Sequence, residues 1–403
     1  MLSALVISPA MKLLMISGDR SLAQGKKGAF YNTLEELRRH FERVVIICPP
    51  IGNSKLKIVN YFDNVEVHPS PWPLVFQPLW ILREGSRIIR VENSKLPAFG
   101  QAGARPEKIE NWFMTVHEYP PFYNGIGARL LWQKIKVPYL LEVFHVPGYP
   151  RSANLKEILY KKLTGAFIGY DTAKTSAVRV MNEDMGDFLE KAGVPRKKIK
   201  LIPAIYIDFD VFRPVNLIKE YDLIFIGRLE SNKGVDLLLK AIEFSIFNLK
   251  FSIKCLIVGE GLLKEELKLK IKNLKLQDNV LLHGFAKDSR EISELMNKSK
   301  ILVMPSYNEG GPRVVVEALA CGVPVLASRV GIVPNLLKNG LGCEIIDWKA
   351  EDIAKKAQAL LGDPVRYGEF SKNGPKIAAQ FERRAAIRNY AEELHKIGQN
   401  RTN

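Results

Sequence analysis

Cysteine and histidine are scarce in this 403-residue chain, which holds four of the first and six of the second. Cys48, Cys255, Cys321 and Cys343 are scattered, with no CxxC pair and no histidine cluster near them. That argues against a zinc site or a disulfide framework, and for small buried thiols in a reducing cytoplasm. Long apolar runs are also missing. Nothing approaches the roughly 18 uninterrupted apolar residues of a membrane-crossing helix. There is no low-complexity tract, RNP sequence, zinc finger or basic zipper, so nucleic acid is not an expected partner. The opening stretch MLSALVISPAMKLLMISGD lacks a basic n-region and a small-residue cleavage site. Lys12 to Ser17 are therefore expected to form a first buried strand ending at Gly18, with the first ten residues an extension or an alternative start.

What is present is a soluble globular composition, 47% hydrophobic and 25% charged. The length suggests two or three domains. The net charge of +16 is uneven: residues 1–205 carry a basic surplus of 11 and the remainder a surplus of 5. A basic first half fits an anionic partner, such as a phosphorylated ligand or an acidic lipid surface.

Short apolar runs alternate with longer amphipathic stretches. KLLMIS, RVVIICP, FMTVHE, PYLLEVFH and AFIGYD read as buried strands, and AFYNTLEELRRHF and IGARLLWQKIK as helices between them. This is the pattern of a parallel sheet wrapped by helices. PAIYIDFDVFRPVN, near 203–216, breaks the series. A second series then runs YDLIFIGRL, a helix from about 234, KCLIVGEG, a helix from about 262, NVLLHGF, a helix near 289 and KILVMPS. The fold class is thus α/β with two Rossmann-like doubly wound domains, over 11–205 and 216–380, and ligands expected at the carboxyl ends of their strands. The tail, 381–403, reads as a charged amphipathic helix expected to pack back on the first domain.

The stretch NEGGPRVVVEALACG carries the most chemistry. Gly310 and Gly311 form a strand-to-helix turn, and Pro312 suits the first helical position. Such a turn presents backbone N–H groups at the positive end of a helix dipole, which favours phosphate. Glu309 precedes the helix and Glu317 falls in its second turn. A diphosphate over the helix start would have one carboxylate at each end, and carboxylates accept hydrogen bonds from hydroxyls. Hydroxyls, diphosphate, hydroxyls describes a nucleotide sugar.

These residues resemble the E-x7-E signature of the retaining glycosyltransferases of family four (glycosyltransferase group 1), which have the two-domain GT-B fold. IGRLESNKGVDLLLKAI is similar to that family's phosphate-binding segment, and IVGEGLLKEEL, VLLHGF, IPAIYIDFDVFRP and PYLLEVFHVPG match further stretches. The resemblance implies that Glu309 holds hydroxyls of the transferred sugar, Glu317 the ribose, and that Arg228 and Lys233 neutralise the leaving diphosphate. His145 would sit beside the reacting centre. Gly227 lies in the phosphate-binding segment. The turn at Gly25 to Gly28 would approach the phosphates or the acceptor, and the backbone around Gly284 and Phe285 would meet the base. Pro312 and Arg313 depart from the family's small or apolar residues; an arginine at a helix start suits an anion facing it.

The expected activity is metal-independent, retaining transfer of a hexose-type sugar from a nucleotide-diphosphate sugar to a glycan or lipid-linked acceptor, in cell-surface polysaccharide biosynthesis. No cofactor is expected beyond the donor substrate, and the expected location is cytoplasmic. A GT-B epimerase and a non-catalytic nucleotide-sugar-binding subunit are the alternatives. DFD at 208–210 matches a DxD metal pattern but lies in the proline-flanked connector, so it reads as structural. His117 and Glu118 form a weaker candidate pair at a strand end. In residues 71–96, Arg83, Arg87 and Arg90 fall on one helical face beside Trp72, Trp80 and aliphatic residues. That stretch reads either as an ordinary amphipathic helix on the sheet or as a helix lying on an anionic membrane surface.

Overall fold

A computed structural model describes residues 11–51, 58–94, 111–336 and 342–399. The expected ten-residue extension and the last residues of the tail lie outside that range. The chain divides into two compact units. The first comprises residues up to 144, 163–202 and 387 onward; the second comprises 145–162 and 203–386. The unit boundaries therefore differ from a simple cut near 205, because residues 145–162 cluster with the second unit.

The first unit is built on an eight-stranded sheet. Its strands are β1 (Lys12–Ile16), β2 (Arg43–Cys48), β3 (Val59–Tyr61), β4 (Val65–Pro69), β5 (Trp112–Glu118), β6 (Tyr139–Val143), β7 (Ala177–Val180) and β8 (Ile199–Leu201). They lie in the order β3-β4-β2-β1-β5-β6-β7-β8. Every pairing is parallel except β3 with β4. The central strands are buried along nearly their whole length, as a parallel sheet covered on both faces requires. Covering helices include α1 (Ala29–Leu37), α2 (Gln77–Ser94) and α3 (Tyr123–Ile135).

One expected strand is a helix. AFIGYD belongs to α4 (Leu155–Thr172). The buried residues of that helix are Thr164, Ile168, Asp171 and Thr172, a spacing of three and four that fits a helical face and not a pleat. The strand that takes its place in the sheet is β7, whose four residues AVRV are too few to stand out by alternation.

In the second unit, β9 (Tyr221–Ile226), β10 (Cys255–Val258), β11 (Val280–Gly284), β12 (Ser299–Met304), β13 (Val325–Ser328) and β14 (Cys343–Ile346) form a parallel sheet in the order β11-β10-β9-β12-β13-β14. One apolar layer joins the sheet to α6 (Val235–Phe247) and α11 (Ala350–Leu361). The other joins it to α9 (Arg313–Ala320). The four cysteines are free and buried. Desolvation raises the thiols of Cys48 to about 12 and of Cys321 to about 11, which makes them poor nucleophiles. No helix of the described residues is long and apolar enough to cross a membrane.

Candidate functional site

The strand order of the second sheet reverses between β9 and β12. The chain leaves β9 toward β10 on one side and leaves β12 toward β13 on the other, so the two exit loops diverge and open a crevice. Both loops carry the charged residues singled out in the sequence. After β9 come Gly227 and Arg228, a short turn over Ser231–Lys233, and Gly234. Gly234 has φ +68°, and a Cβ there would collide with the carbonyl oxygen of Pro305 in the β12 exit loop. Only glycine suits that backbone, and its bareness lets the loops touch. The Tyr307 amide donates to the Asn232 carbonyl at 2.8 Å.

This contact delivers Lys233 to Glu309. Lys233 Nζ lies 2.5 Å from Glu309 Oε1, with both side chains largely shielded. The Ser306 hydroxyl donates to the same carboxylate oxygen at 3.0 Å. The Ser306 carbonyl is fixed in turn by the Ser328 hydroxyl at 2.7 Å and the Trp348 indole N–H at 2.9 Å. A shielded, charge-assisted pair held by second partners is a preorganised site.

His145 joins the cluster from a segment far earlier in sequence. Its Nε2 lies 3.0 Å from Asn308 Oδ1. The amide nitrogen of the fully buried Asn308 donates to the Arg151 carbonyl and to Glu157 Oε2, each at 2.9 Å. Two acceptors on the nitrogen fix which way the amide points, so its oxygen faces the ring and His145 Nε2 must carry the proton. Burial lowers the histidine pKa, and Lys233 adds to that; Glu309, Asn308 and Glu157 oppose it. Burial thus favours the neutral ring, in which Nδ1 is left as an acceptor. Sequence reading did not find Asn308, Glu157 or Ser306: an asparagine beside a glycine turn carries no signal of a histidine 163 positions away.

The glycine elbow is present. Pro312 is the N-cap, one position earlier than expected, and α9 begins at Arg313. The first turn of α9 has N–H groups with no intrahelical acceptor. Gly331, at φ +56°, brings the β13 exit loop against the elbow: a Cβ there would lie 2.7 Å from the Gly310 carbonyl oxygen. Glu317 is buried in the second turn, and Arg313 Nε lies 2.7 Å from its Oε1. Desolvation raises the Glu317 pKa while Arg313 pulls it down. Arg313 thus has a carboxylate partner on its own helix.

The structure does not bring every expected residue together. Arg228 is exposed and paired with Glu230 at 2.7 Å. Gly284 ends β11 at φ +86°, and Phe285 beside it is 77% exposed, an uncovered ring at a strand end. Gly28 lies in the first unit, where it is the N-cap of α1 with open space around it. Asp208 of the DFD stretch accepts the Asp210 amide at 3.0 Å and faces Arg383 at 3.6 Å, a turn-forming role. No group of three or more metal-ligating side chains occurs among the described residues.

Two doubly wound α/β units, one with an anion-ready elbow at its switch point, define a class of proteins that bind phosphorylated ligands at strand ends. Comparison with known proteins narrows the class. Residues 208–377 match the family model of glycosyl transferases group 1. The D-inositol 3-phosphate glycosyltransferase of Segniliparus rotundus is 28% identical over 308 residues, 72% of this chain and 68% of that protein. Sucrose-phosphate synthase from Thermosynechococcus elongatus has a TM-score of 0.72 at 17% identity, over 96% of this chain and 99% of that chain. HepE of Anabaena, solved with UDP and glucose, has a TM-score of 0.68 at 16% identity, over 96% of this chain and 100% of that chain. The resemblance to the glycosyl transferases group 1 holds, the fold is GT-B, and the matches support glycosyl transfer as the general activity.

Proposed function

We propose that this protein transfers a hexose-type sugar, with retention and without a metal, from a nucleotide-diphosphate sugar to a glycan or lipid-linked acceptor. The observation that carries the reading is the Lys233–Glu309 pair at 2.5 Å beside the Gly310–Gly311 elbow. An ammonium already in place beside backbone N–H groups is suited to a leaving diphosphate, and the carboxylate is suited to sugar hydroxyls. The bond from the anomeric carbon to the phosphate oxygen breaks, and its electron pair leaves with the nucleoside diphosphate. The acceptor oxygen bonds to the same face of that carbon and passes its proton to a phosphate oxygen. His145, neutral and with Nδ1 bare, accepts a hydrogen bond from a hydroxyl rather than meeting phosphate charge. Arg228, at 68% side-chain exposure, is free to swing from Glu230 to an arriving phosphate.

HepE was solved with UDP and glucose, so UDP-glucose is the first donor to try. Product anomers resolved by NMR test retention. Lys233→Ala is expected to lower turnover at least about tenfold with folding intact, the scale of losing one charged contact to the leaving group. Glu309→Gln is expected to harm sugar transfer more than nucleotide binding. Wild-type turnover in the lysine variant, or equal loss of both functions in the glutamate variant, sinks the assignment.

A further inference from the structure

We propose that the outer face of α2 docks on a membrane surface carrying anionic phospholipid, with its apolar end in the interface and its arginines on the headgroups. The exposed residues from Val75 to Val91 are Val75, Phe76, Leu79, Arg83, Arg87, Arg90 and Val91. Phe76, Leu79, Arg83, Arg87 and Arg90 recur at three- and four-residue steps, so they form one stripe along the helix. The opposite face, with Ile81, Ile88 and Ile89, is buried. A solvated stripe is expected to be polar throughout. This one has an apolar end instead, with Val75 58%, Phe76 48% and Leu79 51% exposed. The remainder of the stripe is cationic.

The charge is only partly compensated among the described residues. Arg87 pairs with Glu84 at 2.5 Å, and that carboxylate is shared with buried His68 at 2.8 Å. Arg83 lies over the Trp72 ring at 5.6 Å. Among the residues whose side chains are described, which excludes Glu92, no carboxylate pairs with Arg83, Arg90 or Lys134. Some exposed lysines on other helices are neutralised locally, as Lys355 is by Glu351 at 2.6 Å and Lys268 by Glu265 at 2.8 Å; what sets α2 apart is cations in line with exposed apolar residues on one stripe. Leu79, Leu82, Arg83, Ser86, Arg87, Arg90 and Lys134 line a groove of about 340 Å³. A groove with aliphatic walls at one end and cations at the other fits an amphiphile with an anionic head. Inorganic phosphate leaves the apolar end uncovered, and a nucleic-acid backbone gives it nothing to enter. Eighteen residues of α2 give a helix about 27 Å long, suited to lying in the interface plane.

The test needs no sugar donor, so its failure leaves the glycosyl-transfer reading untouched. The full chain is sedimented with vesicles of phosphatidylcholine alone and with vesicles that also contain phosphatidylglycerol. Binding is expected only to the acidic vesicles, weakening as salt rises. Each basic residue near such a surface is worth about fivefold in partitioning. Replacing Arg83, Arg90 and Lys134 together by alanine should therefore lower binding by about a hundredfold. Phe76→Ser with Leu79→Ser should reduce it even at low salt. All these side chains are exposed or line an open groove; circular dichroism checks folding, and Arg90→Glu alone serves if the triple variant misfolds. No binding to acidic vesicles, equal binding to neutral ones, unchanged binding by both variants, or stronger release by inorganic phosphate than by chloride at the same ionic strength would each overturn the proposal.

Discussion

The side-chain amide of Asn308 meets two acceptors with its nitrogen and one ring with its oxygen, so replacing it alters proton placement as well as packing. Asn308→Leu leaves Glu157 and the Arg151 carbonyl short of a donor, at a cost of about 1–3 kcal/mol. It also frees His145 to take either neutral tautomer. Ring-nitrogen NMR is expected to show a protonated Nε2 in the native protein and a mixture in the variant; identical spectra would refute the lock. The first unit has its own buried ionisable pair. Glu118 ends β5, and Asp171 lies near the end of α4. Neither oxygen of Asp171, nor Oε2 of Glu118, has a hydrogen-bond partner. Desolvation raises both carboxyls, and for Glu118 the nearby Asp171 raises it further. A carboxyl raised on folding holds a proton longer in the native state than in the unfolded chain. Its contribution to stability is complete below the unfolded value, near 4, and is lost as pH rises through the folded one. Glu118→Gln should therefore stabilise the protein more at pH about 8 than at pH about 5. Urea denaturation at both values reads the difference, and an equal effect at both would remove the raised carboxyl from the account.

Among the elements, the β9-to-α6 loop shows how backbone geometry places chemistry. Gly234→Ala puts a methyl against the Pro305 carbonyl at a left-handed position, for about 1–3 kcal/mol of strain. Relief by moving the turn would carry Lys233 off Glu309. Lower stability in denaturant together with lower turnover is expected, and loss of neither would refute the close contact. Four strands of the second sheet were legible from sequence because each is a short apolar run closed by a glycine or proline, as in IFIG and VMPS; β13 and β14, four residues each and followed by Arg329 and Asp347, lack that closure. The first unit was less so. AFIGYD has the composition of a strand, yet its burial at 164, 168, 171 and 172 follows the helix begun at Leu155. The four-residue β7 offers too little alternation to compete. Within the site, Glu309 and the elbow were readable because a glycine turn gives charged neighbours a meaning, while Lys233 came through the family resemblance. Asn308 was not, because its role comes from residues 145–157, which only the tertiary fold brings to it.

At the scale of the molecule, the chain passes between its two units at 144/145, 162/163, 202/203 and 386/387, so no single cut separates them. The helix α13 (Arg383–Gln399) begins in the second unit and ends in the first. There, Tyr390 donates to Glu142 at 2.8 Å, and His395 meets the His40 carbonyl at 2.8 Å. The basic surplus of 11 in residues 1–205 takes structural form partly as the basic stripe on α2.

The excursion 145–162 supplies every side-chain and backbone partner described for the Asn308 amide. Dissection of the gene at 203 would yield a fragment with its sheet whole and its elbow intact, yet with an orphaned amide where a histidine belongs. A synthetic peptide spanning 145–162, added in trans, is expected to raise that fragment's melting temperature by mass action, and a copy with His145 and Glu157 replaced by alanine to raise it less. Matching shifts from both peptides would mean that the segment merely fills space. The second unit is thus a mosaic, assembled from two stretches of chain with part of the first unit threaded between them.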